Sequence, residues 1–135
     1  MKNLYPLLFA LVLLSCKKKK EEVQESLIIT AMTNGQWKVT TITVNGIDKS
    51  ADFYPYKFQF KTNQTVDAIN AGSVEKTGSW NASPENQTIT SSFSLSTQPL
   101  IWLNGTWKIT STTWTSVNAS IDSQGDNRTL RLDKL

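Results

Sequence analysis

From Gln36 onward, apolar and polar residues alternate with a period of two, in short runs separated by turn-forming residues. Trp37, Val39 and Thr41 share one face of a run over 36–44, and Phe58 and Phe60 alternate with Lys57, Gln59 and Lys61. Val66 and Ala68 mark a run over Thr65 to Asn70; Val74, Gly78 and Trp80 mark the next, and Ile89 centres a short one. Trp107 and Ile109 alternate with Lys108 and Thr110, then Val117, Ala119 and Ile121 with Ser116, Asn118 and Ser120, and finally Leu130 and Leu132 with Arg131 and Asp133. The intervening signals are local: Asn45-Gly46, Thr62-Asn63, Ala71-Gly72, Ser83-Pro84-Glu85-Asn86 and Gln124-Gly125-Asp126-Asn127. The pattern therefore predicts an all-β chain of eight short antiparallel strands. Eight sequential strands are what an up-and-down barrel uses to remove its edges, although a two-sheet sandwich has the same periodicity.

Two segments depart from the alternation. Val23 to Thr33 places Leu27, Ile28, Ala31 and Met32 at helical spacing and predicts a short helix leading into the first strand. Phe93 to Leu103, with Pro99-Leu100-Ile101-Trp102-Leu103, is too apolar for an exposed loop and predicts a strand end followed by a helical turn packed on the sheet. Residues 27–135 are long enough for one core and too short for two, and their wealth of Thr, Ser, Val, Ile and Trp suits strands.

The first residues read differently. Lys2 is followed by an apolar run from Leu4 to Leu14 that has the length of a secretory h-region and falls short of a bilayer span. Leu13-Leu14-Ser15-Cys16 closes it and resembles the lipobox of a bacterial lipoprotein signal peptide. The resemblance implies removal of residues 1–15, a diacylglyceryl group on the thiol of Cys16 and a further acyl chain, of the palmitate type, on its amine. At about 0.8 kcal/mol per buried CH₂, two or three chains anchor a protein to a lipid membrane for good. Cys16 is also the sole cysteine, which excludes an internal disulfide. Residues 16–26 then form a charged tether ahead of the domain over 27–135.

Two units of the net charge of +3 come from Lys2 and from that tether, where Lys17 to Lys20 outnumber Glu21, Glu22 and Glu25 by one. From Ser26 onward nine basic residues face eight acidic ones, so no basic face exists to follow a nucleic acid. Lysines followed by Glu21-Glu22 are similar to the signal that displays Bacteroidetes lipoproteins at the cell surface, with the acids set further from the cysteine than in that pattern. Outer-membrane attachment facing the periplasm is the alternative.

Asn34-Gly35-Gln36-Trp37-Lys38-Val39-Thr40-Thr41 is echoed by Asn104-Gly105-Thr106-Trp107-Lys108-Ile109-Thr110-Ser111, and more briefly by Gly78-Ser79-Trp80. In each, Gly allows a tight entry into a strand and Trp supplies a large apolar plate. Gly-x-Trp is a serviceable strand start in its own right; the echo also fits a pseudo-symmetric barrel. Gly35-Gln36-Trp37 after a short helix resembles the signature of lipocalins. The order of lipobox, tether, Gly-x-Trp-Lys, aromatic strand (Tyr56 to Phe60), Gly78 to Trp80 and Trp107 to Thr110 is similar to the lipocalin-like lipoproteins of Bacteroidetes. That resemblance implies an eight-stranded antiparallel up-and-down lipocalin-like barrel with a short N-terminal helix. It implies a barrel-closing motif of Gly35 and Trp37 in which Arg128 or Arg131, from the last strand, packs on Trp37.

Much chemistry is excluded. The chain has no histidine, no cysteine beyond Cys16 and no glycine-rich phosphate loop, and its acids are scattered. No enzyme, cofactor or metal site is therefore expected. Two functions remain. In one, the barrel holds a small apolar or amphipathic ligand, lined by Phe58, Phe60, Trp80 and Trp107 where these do not simply fill the core. In the other, a filled barrel serves as an interaction or inhibitor module toward an envelope or host protein. Its surface would include Phe53, Tyr54 and Tyr56 of the loop after the first strand, unless that loop is a lid, and Trp114, which alternation points outward.

Overall fold

The computed structural model describes residues 27–135, so the signal peptide, Cys16, the tether and residues 23–26 of the expected helix lie outside the described residues. An α-helix over 27–33 (α1) leads into β1 (Trp37–Val44), and the strands that follow are β2 (Ile47–Asp48), β3 (Tyr56–Phe60), β4 (Thr65–Asn70), β5 (Ser73–Ser83), β6 (Thr88–Ser92), β7 (Gly105–Thr112), β8 (Ser116–Ser123) and β9 (Asp126–Lys134). Each main strand pairs antiparallel with the next, and β1 pairs with β9 from Trp37↔Lys134 to Val44↔Arg128. The result is a closed eight-stranded up-and-down barrel, as the alternation and the resemblance predicted, with the two-residue β2 as an addition.

The turns explain the register. Asn45-Gly46 and Ala71-Gly72 each place two residues at positive φ, which gives the left-handed two-residue turns that match strand twist. Register shifts in β1, β5 and β7 mark the bulges that let the sheet curl.

Closure is weakest between β1 and β3, which share only the pair Trp37↔Phe58. The remaining edge of β1 is covered by β2 and by a 3-10 turn, Ser50–Phe53. The buried Ser50 hydroxyl accepts the Ile42 amide at 3.0 Å, and Lys49 donates to the Ile42 carbonyl at 2.9 Å. Backbone groups that would face an open seam are thereby satisfied.

Inward-facing residues form one core, which includes Trp37, Ile42, Phe58, Val66, Ala68, Phe93 and Trp107. Alternation also gives the barrel two distinct ends. The proximal end carries α1, the turns over 61–64, 84–87 and 113–115, and the end of β9. The distal end carries the connections over 45–55 and 93–104 and the turns at 71–72 and 124–125.

Candidate functional site

Each end of the barrel is sealed by the same device. Proximally, Gly35 at φ +87° turns the chain from α1 into β1, and the Trp37 indole N–H donates back to the Met32 carbonyl at 3.0 Å. Distally, a 3-10 turn, Leu100–Leu103, precedes Gly105 at φ +137°, and the Trp107 indole N–H donates to the Leu103 carbonyl at 2.9 Å. Helix termini leave carbonyls without partners, and an indole N–H placed a few residues on meets that need while its rings enter the core. The sequence echo thus marks two equivalent plugs at opposite ends.

A cation from β9 covers each plug, and the assignment differs from the one the lipocalin resemblance implied. Lys134 Nζ stands 5.0 Å above the Trp37 ring, whereas Arg128 stands 5.3 Å above Trp107. Antiparallel pairing dictates this: the β1 residue opposite Arg128 is Val44, at the far end from Trp37. Arg131 also misses Trp37; it sits on the outer face and binds Asp133, with Nε–Oδ2 at 3.0 Å. Arg128 is the more deeply held cation. Both Asp126 oxygens accept from it at 2.9 Å, and its Nη1 donates to the carbonyls of Trp102 (2.8 Å) and Asn104 (2.7 Å), tying the distal plug to β9.

The aromatics expected to line a ligand site are all buried. Phe58, Phe60 and Trp107 border a central cavity with Met32, Phe93 and Leu103, but the cavity volume is only about 40 Å³ and its walls are almost wholly apolar. Trp80 is not among its lining residues. It packs edge-on against Phe60 at 5.2 Å and donates its indole N–H to the Lys61 carbonyl at 2.9 Å, bracing a proximal turn.

The expected interaction surface divides. Phe53 and Tyr56 are buried, at 1% and 6% exposure, with Phe53 packed on both Tyr56 and Phe58. The connection over 45–55 is therefore a lid, because the 3-10 turn rotates Phe53 into the barrel mouth. Tyr54 remains exposed at the distal end and Trp114 at the proximal end, so they share no surface. Sequence reasoning missed the company of Tyr54: Ile47, Leu95 and Ile101 also stand exposed on the distal connections. For Leu95 and Ile101 the signal is the apolar density of residues 93–103, only part of which goes into packing.

Two ionisable clusters stand out, one around Asp67 on the outer wall and one where Tyr56 meets Glu75 at the distal mouth. Asp67 is screened by the Lys61 side chain at 2.7 Å and accepts the Thr77 hydroxyl at 2.7 Å; both bonds hold its carboxyl below the usual range. The Tyr56 hydroxyl donates to Glu75 at 2.8 Å, and burial, aided by that carboxylate, pushes the phenol up to about 12. Among the described residues, no three acidic, histidine or cysteine side chains come together as a metal site.

No protein-family model matches this chain, and no curated protein does. A solved structure does. A DUF4847 family protein from Bacteroides vulgatus has a similar fold, with a TM-score of 0.55 over 78% of this chain and 96% of that one. At 13% identity the likeness concerns the fold, a small barrel also found in Bacteroides.

Proposed function

We propose that this chain is a lipid-anchored, non-enzymatic module of the bacterial outer membrane, in which a filled barrel presents its distal rim to a protein partner. The observation that carries this reading is the core itself. Trp37, Phe60, Trp80 and Trp107 occupy the interior and leave about 40 Å³, against the several hundred Å³ of an ordinary ligand pocket. Tyr54 and Ile101 supply the kind of exposed aromatic and aliphatic anchors that protein interfaces use, on connections fixed to a rigid scaffold. The Arg128 clamp supports the reading by immobilising the turn that carries Ile101. Anchoring through acylated Cys16 is supported by the lipobox resemblance.

A second reading, a small apolar ligand within the barrel, draws on the enclosed apolar lining, and requires Phe58 or Phe93 to swing aside. One pair of measurements separates the two. A photo-reactive residue at Tyr54 in producing cells is expected to cross-link one defined protein, and the native mass of the purified chain is expected to show no passenger. A passenger of a few hundred daltons, lost on mild activation, together with no cross-link at Tyr54, would overturn the interaction reading.

A further inference from the structure

The proximal end carries an apolar surface that neither the core nor the distal rim explains. Leu27, Ile28 and Ala31 of α1 face Thr112, Thr113 and Trp114 across a groove of about 280 Å³. A second hollow, of about 370 Å³, continues from Leu27 and Ile28 over Pro84 and Ile109. Leu27 and Trp114 are 45% and 54% exposed at its rim, and Leu135 stands exposed at the same end.

What covers this surface follows from where the preceding chain ends. Residues 17–26 join Cys16 to Leu27, and eleven steps of at most about 3.6 Å hold α1 within about 40 Å of the atom that carries the acyl chains. Residues 17–26 hold one apolar side chain, Val23, among lysines, glutamates, Gln24 and Ser26, a composition poorly matched to an apolar groove. The four lysines gain about 1 kcal/mol each near anionic headgroups, which shortens the tether's working reach further. An indole at the edge of an apolar surface is also the side chain that settles best at a membrane–water boundary.

We propose that the proximal end, with Trp114 and Leu27 at its rim, seats in the headgroup layer of the bilayer that holds Cys16. The barrel then stands upright with the distal rim directed away from the membrane. This inference rests on the lipid-anchor reading. It adds an orientation that an anchor on a free tether would not have.

The test uses the full processed protein, purified in detergent and reconstituted in phosphatidylcholine–phosphatidylglycerol vesicles whose acyl chains carry bromine near the headgroups. Trp37, Trp80 and Trp107 are buried, and Trp102 lies at the distal end, so bromine reaches Trp114 first. Bromine is expected to quench the wild-type emission, and Trp114→Phe to lose roughly half or more of that quenching while keeping the wild-type unfolding midpoint. Equal quenching of the two proteins, with acylated Cys16 verified by mass spectrometry, would overturn the seating and leave the anchor standing. An unacylated Cys16 would overturn the anchor reading and the seating with it. A photo-reactive residue at Trp114 gives the second readout. Cross-links to lipid support the seating, while a cross-link to a protein or to a second copy of this chain overturns it.

Discussion

The guanidinium carbon of Arg128 stands 5.3 Å from the centre of the Trp107 ring. The same group reaches two carbonyls of the distal plug, so one side chain joins the last strand to the segment that closes the barrel mouth. Lysine offers a point charge without the planar fork, so Arg128→Lys is expected to lose about 1–3 kcal/mol of stability. A urea titration would show a lower midpoint at unchanged slope. In a double-mutant cycle with Trp107→Leu, the coupling should be about 0.5–2 kcal/mol. Additive single effects would mean that the stacking contributes nothing.

Two tryptophans separate the indole hydrogen bond from the indole volume. Trp37 donates to Met32, whereas the buried Nε1 of Trp102 has no partner among the described residues. Trp37→Phe strands a carbonyl at the end of α1 and is expected to cost about 1–3 kcal/mol. Trp102→Phe removes an unsatisfied donor along with some packing, and is expected to fall within about 1 kcal/mol of wild type. Equilibrium unfolding of both variants checks the order. A larger loss at Trp102 would show that its N–H is satisfied in solution, by water for instance.

Glycines at two positions are needed for different reasons. A Cβ on Gly78, in the interior of β5, would lie 2.5 Å from the Ser92 carbonyl oxygen and 2.8 Å from the Phe93 ring. Gly46 has open space around it but sits at φ +81°. Gly78→Ala is therefore expected to cost about 1–3 kcal/mol through overpacking, and Gly46→Ala about 1–2 kcal/mol through the left-handed backbone. Asn tolerates that conformation, so Gly46→Asn should recover most of the loss, while no larger residue should rescue position 78. Thermal unfolding of the three variants would decide. A neutral Gly78→Ala would mean that β5 and β6 do not approach so closely.

The same contrast shows what was legible in the sequence. Period-two alternation and local turn residues were enough for eight strands, because those signals act over a few residues; Thr65–Asn70 appears with the predicted ends. The echo predicts that Gly78 is a turn-in like Gly35, yet it lies mid-strand, and the reason for it is the Ser92 carbonyl and the Phe93 ring, both distant in sequence. The expectation that Arg128 or Arg131 packs on Trp37 fails for a similar reason. The choice between Trp37 and Trp107 depends on which end of β9 meets which end of β1, a matter of register rather than residue type. Lys134 was missed because the resemblance pointed to arginine. Phe53 and Tyr54 are neighbours that face opposite ways on a 3-10 turn, a reversal that alternation in strands does not announce.

Tyr56 offers a titration that probes the lid directly. Its hydroxyl meets Glu75 at 2.8 Å, and its phenol is raised to about 12, mainly by burial and then by the neighbouring carboxylate. A folded-state value above the unfolded one means that the fold holds the proton more tightly. The associated stability is thus fully present below pH 10 and is lost as the pH rises toward 12. In residues 27–135, Tyr54→Phe leaves Tyr56 as the one tyrosine, so phenolate absorbance reports it alone. Its midpoint is expected near 12 in the folded protein and near 10 in denaturant. Adding Glu75→Gln should lower the folded value without returning it to 10, since burial is the larger cause and Phe53 still covers the ring. A folded midpoint near 10 would show that Tyr56 reaches solvent, and therefore that the connection over 45–55 stands open rather than closing the barrel mouth.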